Sequence, residues 1–509
     1  MTLPLEIPFA PVHSRLADEE VRIVQDDEAD RVAERSGPTP EDRGVVYLGD
    51  RRELFVDRSL IESMAGASLV LATPRPCGHA IEFDSPWEGA FSGYATVIKS
   101  GDQYLMYYRG LPVAGKDGTD TEVTCVAISQ DGISWNKPVL GLYEFDGSLE
   151  NNIILAQQAP CSHNFAPFLD SRKEVPTGSR FKALAGSERS GLIAFESPDG
   201  IEWSRLQQAP VFVDGVFDSQ NVSFWSEAEQ KYICYFRTWT GGGYSGFRTV
   251  SRSTSPDFLN WSAPQEMSFG DTPVEHLYTN QTSPYFRAPH VYIGLAARFQ
   301  PGRRVITDAD AEAIEVAGSY SGDCSDTVLL TTRGGTSYER EFMESFVRPG
   351  IGDENWVSRA NYAANGVVPT GDTEMSIYVA RNYGQPSAFM ERFSLRTDGF
   401  ASLHAGYEGG EVTTRPLDFS VSDSGRQRSR RLVINASTSA AGSIRIELQN
   451  TDGNPLDGFA LSDCAEIVGD KIRHVVTWKP DSDVADLEAQ RVRLRIVLRD
   501  ADVYSFRFE

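Results

Sequence analysis

The sequence predicts an all-β protein, a five-bladed β-propeller followed by a C-terminal β-sandwich, and three observations predict it. A strand–turn–aromatic unit recurs along most of the chain. Helical periodicity is nearly absent, and Gly (44 residues) is abundant, as many short strands and tight turns require. Beyond residue 405 the pattern changes to side chains that alternate between polar and apolar.

The recurring unit reads as a strand, an Asp-Gly turn and an aromatic residue. It runs from Val126 through Asp131-Gly132 to Trp135, then from Ala194 through Asp199-Gly200 to Trp203. Looser copies lead through Asp257 to Trp261 and through Gly335 to Tyr338. Asp-Gly supplies the tight turn, and the aromatic packs back on the strand before it. Apolar strands precede each unit: Gln103–Arg109, Arg180–Ala185, Lys231–Arg237 and His290–Leu295. A fifth round, Glu374–Ala380 and Ala388–Phe400, holds Asp398-Gly399. Four-strand repeats of roughly 40–50 residues mark a propeller, in which each blade covers its neighbour's apolar face. The blades are expected at 80–140, 150–208, 210–266, 274–345 and 356–405, with Glu53–Asp57 to Leu69–Ala72 as the outer or closing strand. Residues 46–405 thus form the propeller, after a lead-in at 1–45 that is acidic and dotted with Arg. The one helical candidate is Asp308–Val316, capped by Asp308 or Asp310. In residues 406–509, Ser443–Leu448, His474–Trp478, Val492–Leu498 and Tyr504–Phe508 alternate as half-buried antiparallel strands do, with a turn at Asp452-Gly453.

Composition excludes several classes of function. With 48 Lys+Arg against 72 Asp+Glu, the net charge is -24, which repels nucleic-acid backbones and anionic lipid. The longest apolar runs, such as Val291–Ala297, are far short of the ~20 residues a membrane helix needs. The six cysteines form no Cys-x-x-Cys, so no metal site is expected from them, and those within strands read as buried free thiols. The first residues lack a basic start followed by an apolar stretch, so a cytoplasmic setting is expected, or a secreted or periplasmic one if a leader has been trimmed. No cofactor is required. Structural calcium is allowed for by the many oxygen ligands, although no Asp-x-Asp-x-Asp-Gly loop is present.

Chemistry is expected where the innermost strands of a propeller line a central funnel. Each blade offers polar groups near its inner edge: Asp84, Trp87, Glu88 and Tyr94; His163, Asn164 and Asp170; Asp218 and Asn221; Glu275, Tyr278 and Asn280; and Glu374. Carboxylates and amides bind hydroxyls while aromatic rings stack on a sugar's C–H face, so a carbohydrate ligand is expected. On these residues the chain resembles the invertase–levanase and arabinanase–β-xylosidase superfamily of glycosidases (glycoside hydrolase families 32 and 43), although it has neither their Asn-Asp-Pro-Asn-Gly element nor their Glu-Cys acid motif. The resemblance implies hydrolysis of O-glycosyl bonds, with Asp84 as nucleophile or base, Asp170 as transition-state stabiliser, and Asp218 or Glu275 as acid. It implies Trp87, Glu88, Tyr94, His163, Asn164, Asn221, Tyr278, Asn280 and Glu374 as sugar contacts. Two other readings remain open. His163, His276, His290, Arg287, Arg298, Arg303 and Arg304 would make an anion pocket for a phosphorylase if they converge, and a propeller can also bind carbohydrate without catalysis.

Overall fold

The computed structural model describes residues 44–421, 429–479 and 483–509. The lead-in expected at 1–45 lies outside them except for its last two residues. Five four-stranded antiparallel blades follow in chain order. Blade one comprises Gly93–Ser100, Gln103–Gly110, Val123–Ser129 and Ile153–Leu155. Blade two comprises Ala166–Leu169, Phe181–Ser187, Gly191–Ser197 and Ser204–Arg205. Blade three comprises Val222–Ser226, Lys231–Trp239, Arg248–Ser255 and Gln265–Glu266. In blade four a split inner strand, His276–Leu277 and Thr282–Tyr285, pairs with Ala288–Gln300, which pairs with Cys324–Thr332. Blade five has a split inner strand too, Tyr362–Ala363 and Val368–Pro369, then Glu374–Arg381 and Phe389–Arg396. The inner strands touch their neighbours in a ring. Each blade is covered on both faces, so its second strand is largely buried; Tyr104–Gly110 is buried throughout.

Two sequence expectations are corrected. The fourth strand of blade five is Arg75–Glu82, paired with Phe389–Arg396, and not the 53–72 segment. Ile153–Leu155 is the outer strand of blade one and not part of blade two. The turn motif is as expected but lies between blades. Trp203 meets Tyr107 of blade one edge-on at 6.1 Å as well as Phe165 and Phe181 of its own blade. The helix is Asp308–Ala313, capped by Thr307, with Asp310 closing the capping box.

The segments Glu53–Leu54, Ile61–Ala65 and Ala67–Leu71 join the C-terminal strands in one hydrogen-bonded network of eight. Two expected strands, 492–498 and 504–508, are one continuous strand, Arg493–Phe508, paired along its length with Leu432–Gln449. Alternate residues Leu494, Ile496 and Leu498 enter a core with Phe55, Leu403, Val412, Ile434, Ile446 and Trp478. All six cysteines are free, and four are buried. Among the described residues no helix is long and apolar enough to cross a membrane, and no cluster of His, Cys, Asp and Glu could hold a metal ion.

Candidate active site

The leading ends of the inner strands meet at one mouth of the ring, around a cavity of about 430 Å³ lined by Tyr94, Arg109, Asp117, His163, Glu188, Arg189, Asp218, Tyr244, Tyr278 and Arg359. Each leading end carries a non-glycine residue in the left-handed region: Tyr94 (φ 49°), Asn164 (φ 50°), Phe217 (φ 51°), Gln281 (φ 47°) and Asn361 (φ 65°). That conformation is sparsely populated, and it recurs at sites where side chains must be aimed against local preference. A buried amide layer crosses the axis next to these ends. Gln220 Nε2 donates to Thr96 Oγ1 (2.9 Å), and Gln281 Nε2 donates to Gln220 Oε1 (2.6 Å) and to the Ala363 carbonyl (3.0 Å). These bonds tie blades one, three, four and five together.

On the blade-one side, Arg109 ends its strand fully inside. Its Nη1 donates to Asp117 Oδ1 (2.8 Å) and Asn164 Oδ1 (3.3 Å), and its Nη2 to the Phe91 carbonyl (2.9 Å) and Tyr383 Oη (3.1 Å). The guanidinium also lies 4.4 Å from the centre of the Tyr94 ring. Burial would raise the Asp117 carboxyl, but Arg109, Arg359 and His163 together hold it below the usual range. His163 Nδ1 is 2.7 Å from Glu122 Oε2. A carboxylate only accepts, so Nδ1 bears the proton, and Nε2 accepts from Asn164 Nδ2 at 3.0 Å. Glu122 also accepts from the Gly118 amide (2.7 Å), which pins the loop carrying Asp117.

On the opposite side three guanidiniums surround the Tyr278 ring: Arg237 at 4.3 Å, Arg248 at 5.0 Å and Arg359 at 5.5 Å. Burial pushes the Tyr278 phenol up, yet Arg237 and Arg359 more than offset this and leave it below its ordinary value. Asp218 pairs with Arg237 through Oδ1, and about 30% of its side chain is exposed.

No protein-family model matches the chain, and no curated protein matches it. Solved structures do. One is a glycoside hydrolase, at 12% identity and a TM-score of 0.42 over 64% of this chain and 92% of the other. Another is the β-1,2-mannobiose phosphorylase from Listeria innocua in complex with β-1,2-mannobiose, at 12% identity and a TM-score of 0.40 over 62% and 91%. A third is an N-acetylgalactosamine deacetylase from F. plautii in complex with blood group B trisaccharide, at 13% identity and a TM-score of 0.37 over 65% and 96%. This likeness is one of fold.

Of the residues expected from sequence, Tyr94, His163, Asp218 and Tyr278 line the cavity, with Asn164 directly behind it. The others do not. Asp84 is a surface residue, 70% exposed, held by Lys137 at 2.8 Å. Glu88 is buried between Lys137 and the Tyr108 hydroxyl, and Trp87 donates to Asn152 at 2.9 Å inside blade one. Asp170 follows the far end of its inner strand, saturated by Lys182 (2.8 Å), Arg172 (3.2 Å) and Tyr232 (2.5 Å). Glu275 is locked between Arg298 and Arg340, each at 3.0 Å. Asn221 and Asn280 are buried on backbone groups of their own loops, and Glu374 pairs with Arg392 in blade five. The suggested anion pocket does not assemble from its seven residues. His290 bonds Glu53, Arg287 bonds Asp398, Arg298 bonds Asp326, and Arg304 bonds Asp308. Arg303 lines a different cavity, and His276 accepts from the Arg248 amide. Sequence reading missed Arg109, Asp117, Glu122, Arg237, Arg248 and Arg359. A signal existed: Tyr-Tyr-Arg109 and Tyr-Phe-Arg237 end the second strands of two blades alike.

Proposed function

We propose that the chain is a glycoside hydrolase that cleaves its substrate in the axial cavity, with Asp117 and Asp218 as the working carboxylates. The observation that supports this most is their placement: two part-exposed carboxylates from blades one and three open into one cavity walled by Tyr94, Tyr244 and Tyr278. Glycosidic cleavage needs one ionised carboxylate at the anomeric carbon and one proton donor at the leaving oxygen. Asp117, held low by its cations, suits the ionised role, and Asp218, the other carboxylate opening into the cavity, takes the donor role in a protonated state released from Arg237. The tyrosine faces stack on the sugar, while His163 and Arg109 hold Asp117 and its loop in register. Asp84, Asp170 and Glu275 keep structural roles in ion pairs.

A leaving group that is already a good one needs no proton, which separates the two carboxylates experimentally. Asp117→Asn is expected to lower kcat/KM at least 10²-fold on every glycoside the enzyme cleaves, as loss of acid–base or nucleophilic catalysis does. Asp218→Asn is expected to lose a similar factor on unactivated oligosaccharides and far less on aryl glycosides with acidic phenols. Wild-type turnover by both variants on the best substrate found in a screen of aryl glycosides would overturn the assignment.

A further inference from the structure

The molecule carries a net charge of -24, yet its axial cavity is edged with guanidinium. Arg109 is matched by Asp117, and Arg237 by Asp218 through one of its nitrogens. The remaining cations are unmatched. Among the described residues neither Arg359 nor Arg248 has an ion-pair partner. Arg237 is 97% buried, and its Nε and Nη1 find no hydrogen-bond acceptor; the same holds for Arg248 Nε. Only Arg237 of the three is buried, and it is the one with an ion-pair partner; Arg248 and Arg359 are half-buried, and all three lean on the Tyr278 ring from 4.3 to 5.5 Å. Arg248 is driven below its ordinary value by burial and then by the Arg237 charge beside it.

Arg359, like the exposed Arg189, lines the cavity with no hydrogen bond or ion pair of its own among the described residues. It rests on the faces of Tyr278 and Tyr320, and its own backbone is left-handed (φ 63°), two residues before Asn361 (φ 65°). Two such residues hold a charged side chain where a relaxed strand would not put it.

We propose, on the reading of this cavity as a glycan site, that Arg359 receives the carboxylate of an acidic sugar, so that the substrate class is uronate-containing glycans. Guanidinium is planar and presents paired N–H donors that match a carboxylate, and the flanking tyrosines offer faces to the pyranose ring. A neutral sugar would leave the Arg359 charge as it is, whereas a uronate supplies it with an ion-pair partner.

The test is binding to the wild-type chain by saturation-transfer NMR and calorimetry, with methyl glucuronide, methyl galacturonide, their neutral methyl glycosides and inorganic phosphate as separate probes. At least one uronide is expected to bind ten-fold or more tightly than its neutral counterpart, with the preference shrinking as salt is added. Arg359→Gln is expected to abolish that preference, and Arg359→Lys to restore part of it. Equal affinity for uronide and neutral glycoside overturns the proposal and leaves the glycoside-hydrolase reading standing. Phosphate binding in the cavity without a uronide preference overturns it in favour of a free oxyanion. Failure of every sugar to bind removes both readings. The wild-type comparison decides even if the variants fail to fold.

Discussion

Gly200 shows how much a single position of the repeat has to satisfy. The Ser-x-Asp-Gly turn uses every polar group it has: Ser197 Oγ accepts from the Gly200 amide (2.8 Å), and Asp199 Oδ1 accepts from the amides of Ile201 (2.8 Å) and Glu202 (3.0 Å). Asp131 and Asp257 make the same pairs of bonds in their blades. Gly200 has φ 82°, and a Cβ there would sit 2.4 Å from the hydroxyl of Tyr107, which donates to the Gly200 carbonyl across the blade interface. Gly200→Ala is therefore expected to destabilise by about 1–3 kcal/mol, the cost of a strained backbone position, lowering Tm. Because the obstructing atom is the Tyr107 hydroxyl, Tyr107→Phe should relieve part of that loss, giving a coupling of more than ~0.5 kcal/mol in a double-mutant cycle. Strict additivity would show that the clash is not what Gly200 avoids. The Arg109–Asp117 and His163–Glu122 pairs act at the same scale, since each fixes one charged atom of the cavity wall through bonds made within a few residues of blades one and two.

At the scale of elements, what was legible in the sequence was local. The Asp-Gly turns and their aromatic partners stand within about four residues of one another, each after an apolar second strand, so blade number and order could be read directly. The closing strand could not, because Arg75–Glu82 (Arg-Pro-Cys-Gly-His-Ala-Ile-Glu) carries no apolar run to mark it and is recruited by ring closure. The same limit explains the site. Tyr94, His163, Asp218 and Tyr278 stand at strand entries and were visible as polar breaks, whereas Arg109 and Arg237 look like ordinary basic strand ends until the ring turns them inward. Asp398 illustrates the reverse error, a turn residue by pattern that is a buried hub in fact. It accepts from Tyr285 Oη (2.8 Å), Arg287 Nη1 (3.0 Å), Asn435 Nδ2 (3.2 Å) and Ser505 Oγ (2.6 Å), so blades four and five and the C-terminal strands share one carboxylate. Asp398→Ala leaves buried Arg52 and half-buried Arg287 without their partner, and a loss of about 3–5 kcal/mol is expected in chemical denaturation. A change under 1 kcal/mol would mean that the module is held by its apolar core alone.

At the scale of the whole molecule, the propeller and the C-terminal module are stitched by charges that titrate. Glu53 binds His290 (2.8 Å) and Arg333 (3.4 Å), and Asp57 binds Arg333 and Thr331. Burial raises both carboxyls, but His290 and Arg333 for Glu53, and Arg333 and Ser59 for Asp57, bring them below their ordinary values; Glu122 in the cavity wall is lowered against burial by His163 and Arg109. A carboxyl that is lower in the folded state stabilises fully above its unfolded value, about pH 4, and that stabilisation is lost as pH falls through the folded value. Tm is thus expected to be flat from pH 7 to about 5 and to fall steeply below about 4, and Glu53→Gln should flatten part of that fall while lowering Tm at pH 7. The same stitching makes the C-terminal module part of the propeller's own stability. Cutting the chain after Ala405 keeps all five blades and the closing strand, but it removes the strands that cover Phe55, Leu60, Ile61 and Leu403 and the Asn435 and Ser505 partners of Asp398. Four buried apolar side chains laid open beside a carboxylate with missing partners should leave residues 45–405 aggregated or rapidly proteolysed. A monodisperse, cooperatively melting fragment on size exclusion would show instead that the ring closes and holds by its blade interfaces alone.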